Sequence, residues 1–397
     1  MKTAIATALI ALPFCILAGS ATSLAGEAKA RKSASPAASE AAAPLVRQAL
    51  IEDAWREAEV FVVLPGKTVA MRVVRPEAAA TVTVGDLAAA ASKAAAPTFS
   101  SSRSTDYRWK VPFGKVQRFG ESQIEWVAPT KPGHYPIGCE IESLGKLSYA
   151  AGDAEGRSRE LPAVRASTTF HFLVPYEFDA EGQGVIEGSP IGVYPNENAK
   201  EVKAVIADHR DRYRAPRWFV AVTSATRELF VSDHFRLREF VPSAPKDATT
   251  FFPYNANLCR ALEAVVADLK TSETAEPHLR ILRGFVSPYE AERLRRAGAR
   301  LLTWNRYQYG DGVLVVANDN ASEKMGDLNR DGKVDVRDAE KLARIINGVQ
   351  KRLGLPGWSG VYAERPDKTL PETPMVGFDV RGWWTESYSP ESAAKGE

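Results

Sequence analysis

The apolar positions of the chain change their rhythm partway along. From about Leu45 to Pro175 they come in short runs, "VFVVLPG", "TVAMRVV", "ATVTVGD", "IEWVAPTKPGHYPIGCEI" and "ASTTFHFLV", set between turn signals rich in proline and glycine. Short β-type runs between turn residues predict an all-β sandwich over 45–175. The Pro-Gly turn leading into a late strand gives it an immunoglobulin-like cast. The stretch 176–230, with "GVIEGSPIGVYPNENAKEV" and "RYRAPRWFVAVT", is broken at intervals by Gly and Pro and predicts a connector. Over 231–388 the alternation of helical and strand patterns predicts a compact α+β domain. In "VSDHFRLREFV" Ser232 or Asp233 is placed as the N-cap of a helix. "NANLCRALEAVVADLK" puts Leu258, Leu262, Val265, Val266 and Leu269 at helical spacing. "HLRILRGFVSP" reads as a buried strand ending in a turn and "YEAERLRRAGA" as a short polar helix. "NRYQYGDGVLVV" is a glycine-acid corner running into another buried strand.

The first residues follow neither rhythm. "MKTAIATALIALPFCILAGSATSLAGEA" has a basic Lys2, an apolar run to Leu17 and a small-residue "SLA" before Gly26. That is the layout of a signal peptide over 1–25, and the run is too short for a spanning helix. The chain is therefore expected to be exported, periplasmic or extracellular, with no membrane span once the leader is cleaved. Residues 26–44, Ala/Ser-rich and without apolar periodicity, read as a disordered tether.

Charge changes the picture by exclusion. Lys and Arg number 51 against 49 Asp and Glu, so the basic excess of a phosphate-binding surface is missing and nucleic acid is not the expected partner. Cleavage leaves Cys139 and Cys259, which form one disulfide or remain two buried thiols. No phosphate loop or serine nucleophile motif is present. The run "HRDRYRAPRW", with Arg210, Arg212, Arg214 and Arg217 among Tyr213 and Trp218, reads as a solvated edge.

The most specific local signal is "GDLNRDGKVDVRDAEKLARIING". Counting from Asp327, oxygen donors fall at Asp327, Asn329, Asp331, the Lys333 carbonyl, Asp335 and Asp338, with Gly332 at the sixth position. This is the spacing of an EF-hand-like calcium loop, closed by Asp rather than Glu as in dockerin-type loops. Val334 is read as its apolar plug, and Ala339, Leu342, Ile345, Ile346 and Val349 line the exiting helix. Ca2+ is the expected bound ion.

The landmarks "SDHFRLREF", "LRGFVSPYEAE", "NRYQYGDG", the calcium loop and "GFDVRGWW" occur in an order that resembles the zinc D-Ala-D-Ala carboxypeptidases, the VanY-like peptidoglycan peptidases. The subgroup resembled carries a calcium-loop insertion and an immunoglobulin-like front end. The resemblance implies a fold and a zinc site, but its ligand positions fall on Tyr307, Leu314 and Gly377, and its substrate-holding arginine on Val286. Zinc needs three protein donors and an open position, so zinc is not expected here. Arg306, Asp311, Asp379 and Arg381 match the family. The two arginines either dock an anion or pair with the two aspartates inside the fold. Of the histidines, His134 and His171 read as fillers of the β domain, and His234 matches a landmark near the cleft.

Three functions follow as expectations. The first is a non-catalytic, calcium-binding pseudo-peptidase that holds cell-wall peptide or an envelope partner. The second is a divergent metallo-carboxypeptidase acting on peptidoglycan peptides, with rebuilt ligands or with Asp311 and Asp379 as acid and base. The third is a structural envelope module.

Overall fold

A computed structural model describes residues 46–51, 54–74, 98–150, 157–182, 184–195, 212–241, 248–271, 278–299, 301, 305–319, 322–366 and 368–384. The leader, the tether, "ATVTVGD", His209 and Arg210 lie outside the described residues.

Among the described residues the N-terminal half holds nine strands: β1 (Val46–Ile51), β2 (Ala54–Glu57), β3 (Val60–Val62), β4 (Thr68–Val74), β5 (Thr98–Lys110), β6 (Lys115–Phe119), β7 (Gln123–Val127), β8 (Gly133–Ala150) and β9 (Arg157–Val174). They form two sheets, one ordered β2-β1-β4-β7-β6 and the other β3-β9-β8-β5, with β3 parallel to β9. Strict alternation explains the shared core. In β4 Val69, Met71 and Val73 point inward, and in β7 Ile124 and Trp126 do, to meet Ile137, Cys139, Ile141, Phe170 and Phe172 from the second sheet. Burying a side chain such as Phe170 or Met71 contributes about 1.5–3 kcal/mol each. β8 and β9 are far longer than their apolar runs predict. They pair from Gly133 opposite Val174 to Tyr149 opposite Arg157, with a bulge between Ser143 and Gly145.

The stretch read as a connector is part of the folded body. It supplies β10 (Tyr176–Glu177), the hairpin of β11 (Val185–Ile186) and β12 (Ser189–Pro190), and β13 (Trp218–Val222). β13 lies between β10 and β14 (Thr250–Phe252), and Phe178, Ile186, Ile191, Phe219, Val220 and Val222 all enter the C-terminal core. Val60 and Leu173 of the first half join the same core, and the Glu59 carboxylate accepts the Phe230 N–H at 2.9 Å.

The C-terminal sheet is antiparallel, ordered β15 (His278–Arg283), β16 (Gly312–Asn318), β18 (Met375–Asp379), β17 (Trp358–Tyr362). Helices α1 (Ala256–Thr271) and α3 (Val336–Leu353) pack with it, and α2 (Pro288–Arg296) follows β15 with Ser287 as its N-cap. All seven residues of β16 are buried, as the uninterrupted run "GVLVVAN" requires. The architecture is thus mixed α+β.

One expected helix does not form. "VSDHFRLREFV" is a tight turn, with the Val231 N–H bonded to the Phe235 carbonyl, followed by a 3-10 turn over Leu237–Phe240 capped by Arg236. Phe235 and Leu237 are both buried but only two residues apart, and an α-helix would aim them to opposite sides. Cys139 and Cys259 are buried in separate cores and are free thiols, so of the two alternatives the unpaired one holds. Burial pushes each thiol up to about 12.

Candidate functional site

The C-terminal sheet sets one residue from each strand into a single row. Arg283 of β15 stands opposite Leu314 of β16, Leu314 opposite Gly377 of β18, and Gly377 opposite Gly360 of β17. Two of the three positions to which the resemblance assigns zinc ligands, Leu314 and Gly377, are therefore cross-strand neighbours. Tyr307 reaches them from the 3-10 turn Arg306–Tyr309, its hydroxyl 3.2 Å from where a Cβ on Gly377 would stand. All three positions converge.

The space between them is aromatic. A Cβ on Gly377 would also stand 3.1 Å from the Trp358 ring and 3.0 Å from Tyr362, and one on Gly360 would collide with the Trp358 ring itself. Trp358 and Tyr362 meet edge-on, their centroids 6.5 Å apart and their planes at 76°. The Tyr307 and Tyr362 hydroxyls are hydrogen-bonded. Burial, and then the Tyr362 neighbour, pushes the Tyr307 phenol well above its usual range, so it stays protonated. At the end of the row the buried Arg283 donates from Nη2 to Thr369 Oγ1 at 3.0 Å. Val286 is buried with Ala291 and Leu294 in a small cluster against which Tyr307 packs. A protonated phenol, an isobutyl group and a bare glycine do not fit zinc, which binds thiolate, imidazole or carboxylate.

The four polar candidates beside this row are occupied with one another. Arg306 donates from Nε to Asp311 Oδ1 at 2.9 Å, from Nη2 to Asp311 Oδ2, and from Nη1 to the Arg212 carbonyl at 3.0 Å. Its guanidinium lies 4.3 Å from the ring centroid of Tyr309, 5.4 Å from that of Tyr213 and 5.9 Å from that of Trp383. Burial opposes the charge, but the Asp311 carboxylate overrides it and raises the guanidinium's pKa. Arg381 donates from Nε to Asp379 Oδ1 at 2.7 Å and from Nη2 to Oδ2, and Oδ1 also accepts the Trp358 N–H at 3.2 Å. Of the two roles expected for these arginines, the fold-internal ion pair is the one the geometry realises. Asp311 and Asp379, 6% and 2% exposed, are committed to guanidinium groups, and this arrangement leaves them poorly placed to meet a substrate as acid or base.

The acidic loop folds as a chain of carboxylate-to-backbone bonds. Asp327 accepts the N–H of Asp331 at 3.2 Å and of Gly332 at 2.8 Å, while Asn329 Oδ1 accepts the Asp331 N–H at 2.9 Å. The buried Asp338 accepts the Asn329 N–H at 3.0 Å and the Asp335 N–H at 2.9 Å, closing a capping box on α3. Gly332 makes the reversal at φ +82°, a conformation glycine adopts without strain. Arg337 Nη2 bridges Asp331 and Asp335 at 2.9 and 2.8 Å and holds the Asp335 carboxyl below its usual range. Among the described residues no group of three or more His, Cys, Asp or Glu side chains is arranged to hold a metal ion. The donor chemistry, all hard oxygen, nevertheless fits calcium. Val334 is no plug: it is 50% exposed, and Leu328 makes the loop's contact with the core. Ala339, Leu342, Ile346 and Val349 are buried along α3.

Spacing along the chain does not point to the meeting of His134 and His171. Their rings stack at 5.1 Å, with Nε2 of the first 2.9 Å from Nδ1 of the second. Strand register alone would have found it, because β8 and β9 pair antiparallel. His234 is held by α1, its Nδ1 2.6 Å from Glu263 Oε2 and its Nε2 2.8 Å from Lys270 Nζ. An open groove of ≈ 600 Å³ lies on the sandwich, lined by Asp106, Arg108, Glu121 and Glu142. Its Asp106 and Glu142 carboxylates are paired with Arg108, and Glu142 also with Arg165.

No family model, curated protein or solved structure matches this chain. Among the described residues no helix is long and apolar enough to cross a membrane.

Proposed function

We propose that this chain is an exported, non-catalytic binding protein on a D-Ala-D-Ala carboxypeptidase-like fold, stabilised by calcium and directed at the cell wall. The front half serves as an immunoglobulin-like module and the acidic loop as an EF-hand-like insertion. The observation that carries the reading is the convergence of Tyr307, Leu314 and Gly377 on one spot. The three positions to which the resemblance assigns zinc ligands converge, Gly377 arriving from a distant part of the sequence, and none supplies a zinc ligand. Calcium, when bound, supplies a fixed positive charge among Asp327, Asn329, Asp331, the Lys333 carbonyl, Asp335 and Asp338, and ties the loop to α3 through Asp338. The partner is peptidoglycan or a peptide of the wall.

Two measurements on the full chain test this. Zinc-loaded protein should release no D-alanine from peptides ending in D-Ala-D-Ala, and it should sediment with peptidoglycan sacculi at low salt. Release that a chelator abolishes overturns the non-catalytic reading. Failure to sediment overturns the wall-directed one.

A further inference from the structure

The row of Gly377 and Gly360 has a consequence beyond the loss of a metal site. With no side chain on either glycine, the Trp358 indole lies down on the sheet, over Gly360 and against the position a Gly377 Cβ would take. One face of the ring is thereby fixed on backbone. The residue as a whole is only partly buried, and it stands apart from the apolar core that takes in Tyr307 and Tyr362. β17 is the edge strand of its sheet. Tyr362, also partly exposed, rises beside the indole at 76° and makes a floor and a wall. The Tyr362 hydroxyl stays anchored on Tyr307. The Trp358 indole N–H meets no acceptor among the described residues. Thus a rigid flat apolar surface stands next to hydrogen-bonding groups at its rim.

We infer that the Trp358–Tyr362 corner is a platform for a sugar ring, and that the wall ligand is a glycan strand rather than a peptide carboxylate. A pyranose presents an apolar C–H face edged by hydroxyl groups, which matches an indole floor with an N–H and a phenol at its margin. A carboxylate would need an open cationic fork, and those of Arg306 and Arg381 are closed on Asp311 and Asp379. A nucleobase would stack equally well, but the chain lacks the basic excess that holds a phosphate backbone. This inference rests on the wall-directed reading above and narrows it to one chemical class.

The test titrates the full chain with N-acetylglucosamine oligosaccharides of increasing length, by calorimetry and by saturation-transfer NMR on the sugar protons. Binding should strengthen with the number of rings, and saturation should fall on the C–H protons of one ring face. Trp358→Ala should weaken binding about tenfold, with Trp358→Phe between it and the parent. Tyr362→Phe, which keeps the wall, should weaken it less. If Trp358→Ala does not fold, the saturation pattern of the parent protein decides. Oligosaccharides that bind the parent and Trp358→Phe alike, with no preference for one ring face, overturn the platform. So does a parent that ignores millimolar oligosaccharide yet sediments with sacculi and binds a soluble stem peptide. In that case the wall-directed reading stands and the ligand is peptide. Loss of sacculus binding altogether removes both.

Discussion

Replacing Arg306 by methionine removes a guanidinium that is 8% exposed and leaves its partner Asp311, 6% exposed, as an uncompensated carboxylate. Breaking a buried, hydrogen-bonded ion pair from one side costs about 3–5 kcal/mol. The Arg212 carbonyl also loses its donor, worth about 1 kcal/mol. Part of the aromatic contact with Tyr309, Tyr213 and Trp383 survives in the methionine thioether, so the expected net loss is about 4 kcal/mol. In urea, with a slope of about 2–3 kcal/mol per molar, the unfolding midpoint of the C-terminal core should fall by about 1.3–2 M. Asp311→Leu added to Arg306→Met removes the stranded charge and should recover more than half of that loss, because replacing both partners by apolar groups is far cheaper than orphaning one. The difference between parent and single variant should persist at about 1 M salt, since buried pairs are little screened. Near-ultraviolet dichroism reports the transition, because the pair is ringed by Tyr and Trp. A midpoint change below about 0.4 M refutes the claim that this ion pair is structural, as does a double variant as unstable as the single one. Such a result would also return Arg306 to the list of groups able to meet a ligand.

Calcium at about a hundred times its dissociation constant should stabilise the C-terminal domain by about 2.7 kcal/mol, seen as a raised melting temperature that Asp331→Ala abolishes. Arg337→Ala should tighten calcium binding, since that guanidinium competes for Asp331 and Asp335; unchanged binding heat in both variants rejects the loop as a calcium site. The paired histidines give a pH dependence. Burial, and then His171, lowers the pKa of His134 from 6.5, so the unfolded chain takes up the proton first. Stability is then complete above that value and is lost as pH falls below it toward the folded pKa. Urea midpoints between pH 7.5 and 5.5 should show this slope, and His134→Gln should flatten it. An equal slope in the variant assigns the dependence elsewhere.

The elements that were legible in the sequence are those whose patterns are local. The helix Ala256–Thr271 follows from its apolar spacing, and the Asn255 side chain accepts the N–H groups of Asn257 and Leu258 at its start. β16 follows from an unbroken apolar run after a glycine corner. β5 was not legible, because most of "TFSSSRSTDYRWK" is polar and only Tyr107 and Trp109 near its end pack on the core, so its length follows from thirteen residues of pairing with β8. β13 was hidden by the arginine-rich run and Pro216 just before it, although "WFVAV" is a strand by composition.

The site divides in the same way. Read along the chain, Tyr307, Leu314 and Gly377 are three unrelated residues, a phenol, an isobutyl group and a bare glycine. Register changes that reading, because the pairing of β16 with β18 and of β18 with β17 sets Leu314, Gly377 and Gly360 side by side, which spacing along the chain does not reveal. Once the strands are paired, Gly377 stands beside Gly360, and both glycines lie under one indole. A side chain on Gly360 would collide with the Trp358 ring and one on Gly377 would crowd it at 3.1 Å, so the two glycines and the seated tryptophan are one structural fact. Leu314 is fully buried, and the buried Tyr307 phenol meets Tyr362. A cavity here would cost stability in proportion to its volume. At this spot the three positions are packed, with Trp358 and Tyr362, both partly buried, set against Gly377. Packing of this kind fits a spot the fold builds around an indole rather than an emptied cavity.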